Sequence, residues 1–201
     1  PWNGPIMLST WKMAPCLAYG NSAVHKPSEL SSLSIRVLCE IYAEAGMPEG
    51  VYNMVLGYGQ EAGVPLVEHA DVTGISFTGS PRTAQDIAGR AAKALKRTSF
   101  ELGGKSANII LEDADLSRAI PGAAAAIYRN AGQRCFSGSR LIVQESVADR
   151  VESGIAEIAD GHHHVAHPGQ LQLGVGRVDE RGLGSVGRGR HARRARERRG
   201  L

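Results

Sequence analysis

No stretch of the chain approaches the ~20 consecutive apolar residues that span a bilayer, and no signal-peptide pattern opens it. A membrane location is therefore not expected, and a cytoplasmic one is. There are only three cysteines, Cys16, Cys39 and Cys135. An odd count without C-x-x-C spacing gives neither a disulfide framework nor a cysteine metal site, and it suits a reducing compartment where a free thiol survives. No histidine lies between His69 and His162, so a cysteine–histidine pair around Cys135 would need a distant partner. An initiator methionine is also lacking. The chain opens Pro1-Trp2-Asn3, which suggests a piece of something longer.

Charge is unevenly spread. Residues 1–160 hold 14 Lys/Arg against 17 Asp/Glu, a balance of −3, whereas residues 161–201 hold 9 Arg against 3 acids, a balance of +6. The overall +3 is thus a property of the tail. From Gly161 onward there is no Lys, Ile, Phe, Tyr or Trp, while 9 of 41 residues are Gly, 9 Arg and 5 His. Such a stretch buries too little apolar surface to offset its chain entropy. Three readings stand for it: a nucleic-acid-binding arm, a metal site at His162-His163-His164 with His167, or a wrong-frame translation of a GC-rich gene. The G-R and A-R alternation favours the last, so no nucleic-acid partner and no metal are expected.

Upstream, strand and helix signals alternate. Ala23 to Lys26 reads as a strand. Ser28 then caps a helix with Leu30, Leu33, Val37, Ile41 and Ala45 at helical spacing, ended by Gly46 and Pro48. Val51 to Leu56 is a second strand running into Gly57, Gly59 and Gly63, and Thr73 to Phe77 a third. Ser80-Pro81 opens a helix to about Leu95. Connections this short imply right-handed parallel crossovers, hence an α/β fold with a partial, Rossmann-like doubly wound sheet. Ligands of such sheets bind at the carboxyl ends of the strands, where Lys26, Gly57 and Ser80 fall. Near Leu102 a second domain begins, with strands at Ser106–Leu111 and Arg140–Gln144 and helices at Leu116–Arg129 and Ser146–Ile158. The expected organisation is a partial nucleotide-binding domain (1–101), the start of an α/β catalytic domain (102–160), and the tail (161–201).

Two segments carry candidate chemistry. Phe100-Glu101-Leu102-Gly103-Gly104-Lys105 supplies a carboxylate and Gly132-Gln133-Arg134-Cys135 a thiol. A thiolate attacks a carbonyl, and a carboxylate activates the water that releases the acyl group. Cys135 sits in a polar, glycine-rich turn, with Arg134 as a neighbouring cation that would favour the thiolate. Cys16 and Cys39 lie in apolar helical segments and read as small buried hydrophobes.

In this order, and with Pro1-Trp2-Asn3, Lys26-Pro27-Ser28-Glu29 and Phe77-Thr78-Gly79-Ser80, the segments resemble the NAD(P)-dependent aldehyde dehydrogenase family over residues 1 to about 158. The resemblance implies oxidation of an aldehyde to a carboxylic acid through a thiohemiacetal and a thioester on Cys135. Glu101 would activate the hydrolytic water, and the Asn3 amide would stabilise the oxyanion. It implies Lys26 and Glu29 on the adenosine ribose, Phe77, Gly79 and Ser80 around the pyrophosphate, and Gly59 and Gly63 in the glycine turn. Trp2, Ser28 and Leu102 would line the same cleft, with Lys12 supporting the site. A carboxylate at Glu29 accepts from a ribose 2′-OH and repels a 2′-phosphate, favouring NAD over NADP. Met7 to Lys12 and Val24 to Pro27 are most similar to the branch that oxidises hydroxymuconic semialdehydes. The phosphorylating type of aldehyde enzyme, which pairs cysteine with histidine, fits less well. A homodimer or homotetramer is implied for the parent enzyme. The alternative is a truncated, frameshifted, non-catalytic remnant of such an enzyme.

Overall fold

The computed structural model describes residues 1–161 and 174–178. The chain divides into two compact units, Pro1–Gly103 and Gly104–Leu201, against an expected boundary near Leu102. The histidines at 162–164 and 167, and the arginine-rich end, lie outside the described residues.

The first unit alternates helix and strand: α1 (Pro5–Ala18), β1 (Ala23–His25), α2 (Ser32–Glu44), β2 (Tyr52–Met54), α3 (Val64–Glu68), β3 (Gly74–Gly79), α4 (Pro81–Ala92) and β4 (Arg97–Leu102). A π-helical turn, Gly59–Gly63, precedes α3. Pairing is parallel throughout, β1 with β2 and β3 with β4. The expected partial sheet is therefore two parallel ladders, with no hydrogen-bonded pairing between them among the described residues.

Two local expectations are corrected. The helix expected to be capped by Ser28 is capped three residues later, at Ser31, because Ser28 closes a turn instead: its hydroxyl accepts from Leu30 N (3.3 Å) and its carbonyl from Ser31 N (3.1 Å). A serine offering the backbone a local alternative competes with helix initiation in this way. The apolar stripe of α2 is also turned outward. Leu33, Val37 and Ile41 are exposed, as is Leu30 before the helix, and Ile35 is the residue buried. The Glu101 segment is strand β4, in register with β3 through Thr78↔Glu101 and Gly79↔Leu102. Helix α4 is capped as expected, with Ser80 Oγ accepting from Thr83 N at 3.2 Å and Pro81 at its first position.

The second unit holds β5 (Ala107–Ile110), α5 (Leu116–Tyr128), β6 (Arg140–Gln144), α6 (Ala148–Gly161) and β7 (Gly174–Val178), its strands parallel in the order β5-β6-β7. Leu141, Val143 and Val151 are fully buried and pack with Ala123, Ala124 and Ile155 from α5 and α6. Strand β7 lies inside the stretch for which the sequence predicts no packed structure. Its Arg177 is matched by carboxylates of Glu145, Asp149 and Glu152 at 3.2, 2.8 and 3.0 Å. That compensation lets a strand carrying a charge dock beside β6.

Candidate functional site

At the carboxyl end of β1 the Lys26 ammonium donates to Pro27 O (2.9 Å) and Gly57 O (2.8 Å). Two of its three protons are thereby used, which leaves one for a ligand hydroxyl. Gly57 has φ +142°, and a Cβ there would come within 2.9 Å of the Ala62 Cβ; only glycine fits this turn. The Tyr58 carbonyl accepts from Glu61, Ala62 and Gly63 N–H groups, winding the π-turn. Gly63 faces the Lys26 stem, and nothing lies within 4 Å of a Cβ built on Gly59. Ser28 and the exposed Glu29 occupy the turn between Lys26 and α2.

At the carboxyl end of β3, the Phe77 ring packs edge-on to Phe100 at 6.4 Å and covers Gly79, where a Cβ would meet that ring at 2.4 Å. Ser80 Oγ spends its acceptor on the α4 cap and also bonds Thr83 Oγ1 at 3.0 Å. Thr78 Oγ1, between these residues, is buried without a hydrogen-bond partner. The Lys26 cation at one strand end, and the helix N-terminus and the Thr78 hydroxyl at the other, are each groups able to donate to the oxygens of an anionic ligand. Trp2 is half-exposed and Leu102 partly buried.

A cleft of about 420 Å³ opens within this unit between α1 and the β3–β4 ladder, lined by Leu8, Trp11, Lys12, Pro15, Ser76, Ser99 and Glu101. Ser99 and Glu101 face it because strand residues two apart share a face, and Ser76 pairs with Ser99 across the ladder. Lys12 Nζ donates to Ser76 Oγ at 3.0 Å. Burial pulls the Lys12 ammonium below its ordinary pKa, and the Glu101 carboxylate pushes it back up. Lys12, which the resemblance placed in support of the site, lines this cleft. Ser76 and Ser99 were missed, and their alternation along two adjacent strands is the signal that would have found them. Asn3, the oxyanion candidate, also belongs to this unit and is partly buried.

Cys135 belongs to the second unit, in the turn leaving α5. Asn130 (φ 54°), Ala131 (φ 53°) and Gly132 (φ 70°) are successive left-handed residues, a conformation asparagine tolerates and one that is costly for Ala131. The turn is over-determined by bonds that hold it. Gln133 N donates to Asn130 O (3.0 Å), Arg134 N to Gly132 O (2.9 Å) and the Ser137 hydroxyl to Gly132 O (3.0 Å). The Cys135 carbonyl lies 3.3 Å from where a Cβ on Gly104 would stand. Arg134 is engaged over the Phe136 ring, 5.4 Å from its centre. Cys16 and Cys39, expected to be buried, are only partly so, like Cys135. Burial therefore does not separate the three, and the strained turn does.

Among the described residues no group of acidic, histidine or cysteine side chains could hold a metal ion, and no helix is long and apolar enough to cross a membrane.

The model of the aldehyde dehydrogenase family matches residues 1–177. The chain is 45% identical over 166 residues to 2-hydroxymuconic semialdehyde dehydrogenase of Pseudomonas sp. (strain CF600), covering 80% of this chain and 34% of that protein. It is 51% identical over 147 residues to 5-carboxymethyl-2-hydroxymuconate semialdehyde dehydrogenase of Escherichia coli, covering 73% and 31%. The crystal structure of PnpE from Pseudomonas sp. WBC-3 superposes with a TM-score of 0.76 at 48% identity, covering 79% of this chain and 33% of that one; PnpE has also been solved in complex with nicotinamide adenine dinucleotide. The chain spans about a third of the length of these relatives. It belongs to the aldehyde dehydrogenase family.

Proposed function

We propose that the whole protein oxidises an aldehyde to a carboxylic acid, with Cys135 as nucleophile and Glu101 as the base for hydrolysis. The observation that carries this is the strained, multiply bonded turn that presents Cys135, in a chain of this family. The Cys135 thiolate adds to the aldehyde carbon, and the Asn3 amide donates to the resulting oxyanion; one such donor contributes about 3 kcal/mol to lowering a barrier. NAD, held by the residues named below, would supply the hydride acceptor that oxidation of the thiohemiacetal to a thioester requires. Glu101 then takes a proton from water as its oxygen attacks the thioester, and the acid leaves as the Cys135 sulfur is freed.

Lys26 and Glu29 would hold the adenosine ribose, with Ser28 in the turn between them. Phe77, Gly79 and the α4 N-terminus at Ser80 would meet the pyrophosphate, and Gly59 and Gly63 would let backbone approach it. Trp2 and Leu102 complete the cleft. Glu29 favours NAD over NADP through its charge. Semialdehydes of hydroxymuconate type are the proposed substrates, supported by the names of two relatives.

The test is NAD-dependent turnover of an aldehyde panel, including 2-hydroxymuconic semialdehyde, by the whole protein and by the 201-residue chain. Loss of turnover in Cys135→Ser is expected for the whole protein, and no turnover for the chain alone. Activity retained by Cys135→Ser would remove the thiol from the mechanism.

A further inference from the structure

Four elements of the first unit converge on one polar string that the reaction does not use. The Tyr52 hydroxyl on β2 lies 2.6 Å from His25 Nδ1 on β1, and His25 Nε2 lies 3.5 Å from the Ser9 hydroxyl on α1. On α2, Tyr42 packs edge-on to Tyr52 at 5.1 Å, and the nearby Cys39 influences the Tyr52 hydroxyl electrostatically. Ser9 is buried and His25 and Tyr52 are partly so.

The inventory of donors fixes how the string is satisfied. Neutral imidazole has one donor and one acceptor. With the proton on Nε2 facing Ser9, Nδ1 is the acceptor for the Tyr52 O–H. Burial and charge support the neutral form. Burial foremost, and then the cations that face His25, Lys26 and Lys12 among them, bring its pKa down to about 4.

The string runs diagonally across the first ladder, from Tyr52, which pairs with Ala23 at its start, to His25 at its end. Val55 N donates to His25 O at 3.0 Å. The next residue on one strand is Lys26, and the other strand runs on to Gly57, whose carbonyl Lys26 holds. We propose that His25 is a positioning residue: its bond to Tyr52 ties the start of β2 to the carboxyl end of β1, and this tie holds the Lys26 ammonium on the Gly57 turn. Its bearing on cofactor binding rests on the assignment of Lys26 to the nucleotide ribose made above. The bond itself does not.

Lysine acetylation of the 201-residue chain, followed by mass spectrometry, reads the tie directly. Lys96 is the internal control, since its ammonium is likewise held by two carbonyls, those of Val67 and His69. In Tyr52→Phe and His25→Phe, Lys26 labelling should rise about fivefold, the worth of one net hydrogen bond, with Lys96 unchanged. His25→Asn places an amide oxygen near the Nδ1 position and should restore protection. Equal rises at Lys26 and Lys96 would mean general loosening and would overturn the inference, as would an unchanged Lys26 in both variants. A separate arm adds NAD to the unsubstituted chain. Failure of NAD to protect Lys26 would sink its assignment to the nucleotide, and the labelling without NAD would still decide the role of His25.

Discussion

Lys12 and Ser76 are joined by a 3.0 Å hydrogen bond across the cleft that also holds Glu101. Burial destabilises the Lys12 ammonium, and the Glu101 charge is what favours it. Removing that charge leaves burial unopposed. In Glu101→Gln the Lys12 pKa should therefore fall further below its ordinary value of about 10.4. Lysine methyl groups labelled with carbon-13 and followed by NMR across pH would report it. An unmoved Lys12 titration would mean that the two groups do not sense each other.

Gly79 is required by a side chain, not by a dihedral angle. A Cβ there would stand 2.4 Å from the Phe77 ring and cannot be accommodated without displacing it. Gly79→Ala should destabilise the first unit by about 1–3 kcal/mol, the usual cost of overpacking. Phe77→Leu should recover part of that loss in the double variant, because the two residues share one space. Urea unfolding of the four proteins measures the coupling, and strict additivity would contradict it.

Ala131 sits at φ 53° before the Cys135 turn. A left-handed non-glycine residue costs about 1 kcal/mol or more, whereas glycine adds about 0.4–1 kcal/mol of unfolded-chain entropy to be lost on folding. The strain term is the larger, so Ala131→Gly should leave stability equal or higher by up to about 1 kcal/mol. Thiol modification of Cys135 should quicken as the turn loosens. Clear destabilisation in equilibrium unfolding would show that the turn is not strained at Ala131.

The parallel α/β character, the Ser80 cap and the thiol-bearing turn were legible because each depends on neighbours in sequence: short crossovers, Ser-Pro at a helix start, glycines beside Cys135. What escaped depends on partners far along the chain. Strand β4 is a strand because β3 lies beside it in register, and the Glu101 stretch alone offers only E-L-G-G. The outward turn of Leu33, Val37 and Ile41 is invisible to periodicity, which finds an apolar face without saying what covers it. Strand β7 forms where Arg177 meets three acids drawn from residues 145–152, a match no local composition reveals.

His25 also makes the stability of the first unit depend on pH. Its folded pKa, lowered to about 4, lies below the unfolded value of 6.5. The unfolded chain therefore binds the proton first as pH falls. The stabilising effect is fully present above pH 6.5 and is lost progressively as pH drops from there toward 4. A shift of this size would correspond to about 3 kcal/mol for a fully buried group. His25 is only partly buried, and solvent screening reduces the expected loss between pH 7 and pH 5 to about 1 kcal/mol. His25→Asn cannot titrate in this range and keeps the acceptor for Tyr52, so its urea midpoint should vary less between those two pH values than that of the unsubstituted chain. Parallel pH dependence in the two proteins would assign the acid sensitivity to carboxylates instead.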